Sequence, residues 1–436
     1  MLMVLNEEVR GFIRTCYSAA DIDRLVAWLR SHGTFDFPAF PNGLYPASPV
    51  TEGSRHTGYG RVWVRDNVHI AAALHACGLV EQAYATVDAL ARFFRGQAGR
   101  FVAISDGESD PAEHGMRPAI RFRPETLVPD QDWPNAQNDA LGYFLWLYAR
   151  LARERMAAGR SIDWDVLALF PPYLRAIAYW QDEDSGHWEE TPKVSASSIG
   201  TVVAGLRALL ALIGDAAAQA IPARHSAALG ADLIEQLIAQ GSDALGGILP
   251  AECVQPDPDK HRRYDAALLF LIHPLDVVDD AMADRIVEDV LEHLSGDIGV
   301  RRYPGDSFWC TDYRSKLARD QRTRDWSRDL ATRNALAGPG EEAEWCLFDP
   351  VLSLIAGTRY RRTGAIADLE RQTFHLNRSL GHLTAATSAI PALRCPELYH
   401  LQDGRHETSD ATPLLWTQAL LLRALLALRH NLDAKR

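Results

Sequence analysis

Arg65-Asp66-Asn67-Val68-His69-Ile70-Ala71-Ala72-Ala73-Leu74-His75-Ala76, the break Cys77-Gly78-Leu79, and Val80-Glu81-Gln82-Ala83-Tyr84-Ala85-Thr86-Val87-Asp88-Ala89-Leu90-Ala91-Arg92-Phe93-Phe94 decide the fold. Apolar side chains recur three and four residues apart on both sides of a short break, which is how an antiparallel helix pair is written. The same periodicity returns over 138–157, 162–181, 195–212, 217–239, 265–272, 281–294, 343–362, 365–380 and 412–429, and an N-terminal helix is expected over 7–29. Roughly a dozen helices result, and six hairpins suffice to close a ring. No low-complexity linker or interdomain boundary interrupts the pattern, so residues 1–436 are expected to form one all-α domain.

The chain has 436 residues, 47% hydrophobic and 23% charged, enough apolar material for a full core. Forty-five Lys and Arg against 57 Asp and Glu give a formal charge of −12, which argues against a general hold on nucleic acid or an anionic membrane. The N-terminus turns acidic at Glu7-Glu8, and the Leu-rich run near the C-terminus is interrupted by Gln418 and Arg423, so no export signal or membrane span is expected. Cys16, Cys77, Cys253, Cys310, Cys346 and Cys395 are scattered without metal-ligand spacing and read as reduced thiols of a cytoplasmic protein needing no metal.

Long polar connections lie between the helix pairs, over 35–60, 99–135, 182–194, 297–340 and 389–411, and connections of that length in a compact domain usually carry function. Five hold mixtures of aromatic and polar residues that suit a sugar, with a flat face to stack and donors and acceptors for hydroxyls. They are Gly58-Tyr59-Gly60-Arg61-Val62-Trp63-Val64-Arg65-Asp66-Asn67; Gln131-Asp132-Trp133-Pro134-Asn135-Ala136-Gln137-Asn138-Asp139; His187-Trp188-Glu189-Glu190; Arg302-Tyr303-Pro304-Gly305-Asp306-Ser307-Phe308-Trp309; and Cys395-Pro396-Glu397-Leu398-Tyr399-His400. Adjacent carboxylates beside Trp188 repel each other in a less polar setting, and both effects raise a carboxyl toward the range of a general acid. Each segment alone has a plainer reading: Glu189-Glu190 as helix-dipole stabilisation, Asp66 as a helix cap, Glu397 as an isolated loop residue. Their common placement between helix pairs favours a shared pocket. The Arg- and Asp-rich stretch 314–333 is expected to be a solvated insertion.

These segments occur in the order seen in glycoside hydrolase family 15, which the chain resembles from about residue 58 to 428. Trp63-Val64-Arg65-Asp66-Asn67-Val68, Ser195-Ala196-Ser197-Ser198, Glu344-Trp345 and Pro396-Glu397-Leu398-Tyr399 resemble in particular the glucoamylase-like domains of phosphorylase kinase α and β subunits. The resemblance implies an (α/α)6 barrel and inverting hydrolysis of α-glucosidic bonds from a non-reducing end, without a cofactor. Glu189 matches the general acid and Glu397 the general base. Arg65, Asp66, Glu190 and Arg302 match substrate-binding residues, and Trp63, Trp133 and Trp416 match the aromatic walls.

The expected activity is exo-hydrolysis of short α-gluco-oligosaccharides to β-glucose, with the carboxyl groups roughly 6.5–9.5 Å apart to admit water. The phosphorylase kinase branch implies an alternative, a non-catalytic carbohydrate-binding regulatory module. A trehalase-like hydrolase is a third reading. Linkage preference and oligomeric state are not written in these residues.

Overall fold

The computed structural model describes residues 2–433 except 53, 131–132, 217–220 and 388–389. Gln131 and Asp132 of the second aromatic-polar segment, and the expected helix start at 217, lie outside the described residues.

Among the described residues, twelve helices make up a double ring. They are α1 (Ala19–Ser31), α2 (Val64–Ala76), α3 (Val80–Gly96), α4 (Asn138–Ala157), α5 (Phe170–Ala176), α6 (Ala196–Asp215), α7 (Ala231–Ile248), α8 (Leu269–Ile272), α9 (Asp280–His293), α10 (Phe348–Thr363), α11 (Ile366–Gly381) and α12 (Leu415–Asp433). The even-numbered members α2, α4, α6, α8, α10 and α12 touch in succession, and α12 returns to α2, closing the inner ring. The pairs α2–α3, α6–α7, α8–α9 and α10–α11 are consecutive inner–outer hairpins, while α1 packs on α12 from the other end of the chain. This is the six-hairpin architecture the sequence implies.

Burial follows position in the ring. In α4 nearly the whole circumference is buried, from Asn138 through Ala149, whereas α9 buries only Ala283, Ile286, Asp289 and Val290. Such an all-round buried helix can be apolar all round. That explains α6, which is long and apolar enough to cross a membrane yet has 72% of that window buried in the ring. A close backbone approach between inner helices is made at Gly142, where a Cβ would stand 2.5 Å from the backbone of Thr201 on α6. Only a residue without a side chain fits there.

Several helices start later or break earlier than periodicity alone suggests. The helix expected over 7–29 is split into Glu7–Arg10 and α1, because Ser18 and Asp21 form a reciprocal capping box that starts a new helix. The segment 162–181 is split too: Trp164–Leu167 precedes α5, whose first turn holds Pro171 and Pro172. The helix expected from 343 begins at Phe348, since Glu344–Trp345 is a strand. Two small antiparallel sheets fasten the connections: β1 (Val62–Trp63) with β2 (Arg121–Phe122), and β3 (Glu344–Trp345), β4 (Leu398–Gln402) and β5 (Arg405–Thr408) in that order.

Candidate active site

A cavity of about 770 Å³, its open mouth included, lies where the inner helices begin. Trp63, Arg65 and Asp66 come from the start of α2, His187-Trp188-Glu189 from the turn ahead of α6, Trp345 from β3 ahead of α10, and Leu414 and Trp416 from the start of α12. Helix N-termini therefore converge on one face, and their partial positive charge favours carboxylates and negative charge developing in a ligand. Of the residues singled out from the sequence, Trp63, Arg65, Asp66, Trp133, Glu189, Arg302, Glu397 and Trp416 line this cavity together.

Glu189 caps the 3₁₀ turn Gly186–Trp188 with φ +53° and ψ +48°. A non-glycine residue in the left-handed region carries local strain of about 1–3 kcal/mol, which the surrounding packing has to offset. The turn aims the carboxyl at Arg65, whose Nη2 donates to Glu189 Oε1 at 2.5 Å. Burial pushes Glu189 up to about 7, with Arg65 pulling the other way and Asp139 adding to the rise. Its side chain retains 18% exposure, toward the cavity.

Glu397 precedes β4 and is held by neutral donors. Tyr59 Oη donates to Oε1 at 2.7 Å, and Ser409 Oγ donates to Oε2 at 2.7 Å from across the β4–β5 hairpin. Burial pushes this carboxyl to about 7 as well, and the Ser409 and Tyr59 hydrogen bonds oppose the rise. Asp66, also buried in the wall, is pushed up to about 6 against the attraction of Arg65.

The aromatic walls are braced by guanidinium groups. Trp63 and Trp133 meet edge to face at 5.2 Å, and Arg121 lies 5.0 and 4.2 Å from their ring centres. Arg302 is fixed by two 2.6 Å hydrogen bonds to Asp306 and sits 5.1 Å from Trp188 and 4.8 Å from Trp345. Such placements rigidify rings that present flat faces to a sugar. Trp416 stacks on His69 at 4.8 Å, closing the floor.

Glu190 is placed elsewhere. It is fully buried behind the wall, where Oε1 accepts from Tyr303 Oη at 2.5 Å, Arg333 Nη2 at 2.6 Å and Arg302 Nη2 at 3.2 Å, while Oε2 accepts from Arg262 Nη2 at 3.0 Å. Those three guanidinium groups hold its carboxyl well below the usual range. Both oxygens are occupied by protein donors, so Glu190 organises Arg302 rather than reaching the cavity.

The stretch 314–333 is mostly exposed, as expected of a solvated insertion, but part of it turns inward. Thr323, Arg324, Asp325 and Trp326 line the cavity, Trp326 is buried, and Arg333 is drawn inward to Glu190. Tyr59, Asp139, His187, Ser409 and Trp345 also belong to the site, although no role for them followed from the sequence. Asp139 lies at the start of α4 and accepts from Arg65 Nη1. Among the described residues, no group of His, Cys, Asp and Glu is arranged to hold a metal ion.

The family model for glycosyl hydrolases family 15 matches residues 35–329, more than half of the chain. The chain belongs to glycosyl hydrolases family 15. It is similar to a probable phosphorylase b kinase regulatory subunit alpha of Caenorhabditis elegans, 27% identical over 278 residues that cover 57% of this chain and 21% of the relative. The chain thus spans about a fifth of that relative's length. Among solved structures, a glycosidase variant in complex with glucose has a TM-score of 0.64 and 21% identity, covering 96% of this chain and 99% of its own. The glucoamylase of Saccharomycopsis fibuligera has a TM-score of 0.61 and 13% identity, covering 97% of each chain. At these identities the two structures share the fold.

Proposed function

We propose that this chain is an inverting, exo-acting α-glucosidase that releases β-glucose from the non-reducing ends of short α-gluco-oligosaccharides in the cytoplasm. The observation that carries it is the presence of Glu189 and Glu397 in the wall of one cavity, one beside a cation and one between neutral hydroxyls. Glu189 gives its proton to the glycosidic oxygen as the bond from that oxygen to the anomeric carbon breaks. A water attacks the opposite face of that carbon and passes its proton to Glu397. Asp66 and Arg302 supply contacts to the terminal sugar, and Trp63, Trp133 and Trp416 exclude water around it. The structural likeness to a glycosidase variant in complex with glucose, and to a bacterial glucoamylase complexed with acarbose, supports an α-glucosidic substrate. The wall contributed by residues 323–326 supports short substrates. The six cysteines, all free, support the cytoplasm.

The phosphorylase kinase relative favours a second reading, a carbohydrate-binding regulatory module without turnover. Proton NMR separates them. The purified protein is mixed with maltose, isomaltose, kojibiose, trehalose and maltotriose, and anomeric signals are followed from the first minutes. Early β-glucose, absent with Glu189→Gln, is the expected result and identifies the linkage. With maltotriose, whose leaving group is maltose rather than glucose, early α-glucose would overturn inversion, and saturable binding of any of the sugars without glucose release would favour the regulatory module.

A further inference from the structure

A general acid has to hold a proton, yet Glu189 is in direct contact with a guanidinium, the neighbour that most favours its ionised form. Arg65 resolves this conflict by being shared. Nη2 donates to Glu189 Oε1, while Nη1 donates to Oδ2 of Asp139, which has no exposure at all. The other Asp139 oxygen, Oδ1, and Arg65 Nε lack hydrogen-bond partners among the described residues. One buried cation is therefore hydrogen-bonded to two carboxyl groups, with Asp66 nearby but not bonded to it, and needs only one of the two as its counter-charge. An unpaired buried charge is costly, so taking Asp139 away would force Glu189 to serve as the anion.

His187 does not compete for that role. Its Nδ1 lies 3.8 Å from Asp139 Oδ2, but the ring is sandwiched against Phe270 and contacts Ser197 and Tyr143, and burial lowers it to about 4. It is a neutral imidazole at the pH where Glu189 titrates. The remaining titratable and charged groups toward Glu189 are Asp66 from α2, Arg121 from β2 and Tyr59 from the connection ahead of β1. None of these three forms a hydrogen bond with Arg65, so among the described residues Asp139 alone shares its fork with the acid.

We propose that Asp139 is a positioning residue for proton donation: it neutralises Arg65 and so leaves Glu189 free to carry the proton given to the glycosidic oxygen. This rests on the assignment of Glu189 as general acid. Asp139 touches no substrate and acts through Arg65.

The test is a carboxyl ¹³C NMR titration of the full chain labelled at Asp and Glu, in the wild type and in Asp139→Asn. Signals are assigned by their loss in Glu189→Gln and Asp139→Asn, and kcat/KM is followed against pH on any sugar the wild type cleaves. In the wild type Asp139 should stay ionised throughout the range in which Glu189 titrates. In Asp139→Asn the Glu189 midpoint should fall by about one pH unit or more, and the alkaline limb of kcat/KM should move to lower pH by the same amount. An unchanged Glu189 midpoint, or a wild-type Asp139 that holds the proton while Glu189 is ionised, would overturn the proposal. Where Asp139→Asn does not fold, Asp139→Glu keeps the charge, removes the Asp139 signal and so assigns it, and the wild-type titration then decides. Absence of turnover in the wild type would instead defeat the hydrolase reading, and the titration would still be readable.

Discussion

Glu189 and Glu397 face the same cavity from seats of opposite construction. Glu397 is fixed at both oxygens by hydroxyl donors from Tyr59 and Ser409, each at 2.7 Å. Glu189 has one oxygen on a shared guanidinium and keeps more exposure toward the cavity. Both are pushed to about 7 by burial. Similar titration therefore does not mean similar work. Two fixed donors favour a carboxylate that stays put and receives a proton, whereas a free oxygen on a strained turn suits a group that must present one.

The strongest way to break this asymmetry is to neutralise each carboxyl in turn. Glu189→Gln should lower turnover of maltose by roughly 10²–10⁴-fold while sugar binding survives, the usual worth of general acid–base catalysis. On an aryl α-glucoside, whose leaving oxygen needs little protonation, most of that loss should disappear. Glu397→Gln should lose activity on both substrates, because water must be activated in either case. Equal recovery by both variants would erase the distinction between the seats.

Next in size is a stability effect behind Arg302. Glu190→Gln removes the anion that faces Arg262, Arg302 and Arg333, and breaking a buried ion pair typically costs about 3–5 kcal/mol. Thermal or urea unfolding should show a loss of that order. A change in sugar affinity without loss of stability would return Glu190 to the substrate contacts the resemblance implied.

A smaller effect tests the hydroxyl seat. Tyr59→Phe and Ser409→Ala each remove a donor that stabilises ionised Glu397, so its pKa should rise. A base works above its pKa, and the acid limb of kcat/KM should therefore move to higher pH, with the alkaline limb unchanged. Movement of the alkaline limb would assign these hydroxyls to the acid.

What the sequence made legible divides along the same physical line. The inner helices α2, α4 and α6 show in the sequence because their apolar residues recur locally, and Trp63, Arg65, Asp66, Glu189 and Glu397 sit at recognisable breaks between helices. The partners of those residues are not local. Tyr59 reaches Glu397 across 338 positions, and Arg333 reaches Glu190 across 143. Arg333 stands in a stretch so rich in Arg and Asp that composition alone favours solvent, and the buried carboxyl of Glu190, with Ser307, turns it inward. Helix starts at Ser18 and Pro171 had capping signals in the sequence, and periodicity ran past them.

The same Arg- and Asp-rich stretch gives the finest test, since it forms the part of the wall that lies farthest in character from the helix-borne seats. Trp326 is buried, with the Arg324 guanidinium 3.6 Å from its ring centre and held also by Asp329 at 3.1 Å. An indole fixed in that way is a rigid boundary, and a boundary limits how many sugars fit beyond the bond being cleaved. Trp326→Ala should leave maltose turnover nearly unchanged and raise the kcat/KM ratio of maltotriose to maltose by about 3–10-fold, the range expected from changing one wall contact in a pocket. A fall in that ratio would mean that the longer sugar stacks on Trp326 instead of being stopped by it. The loop would then extend the site that Glu189 and Glu397 define, and the preference for short substrates would have to come from another part of the wall.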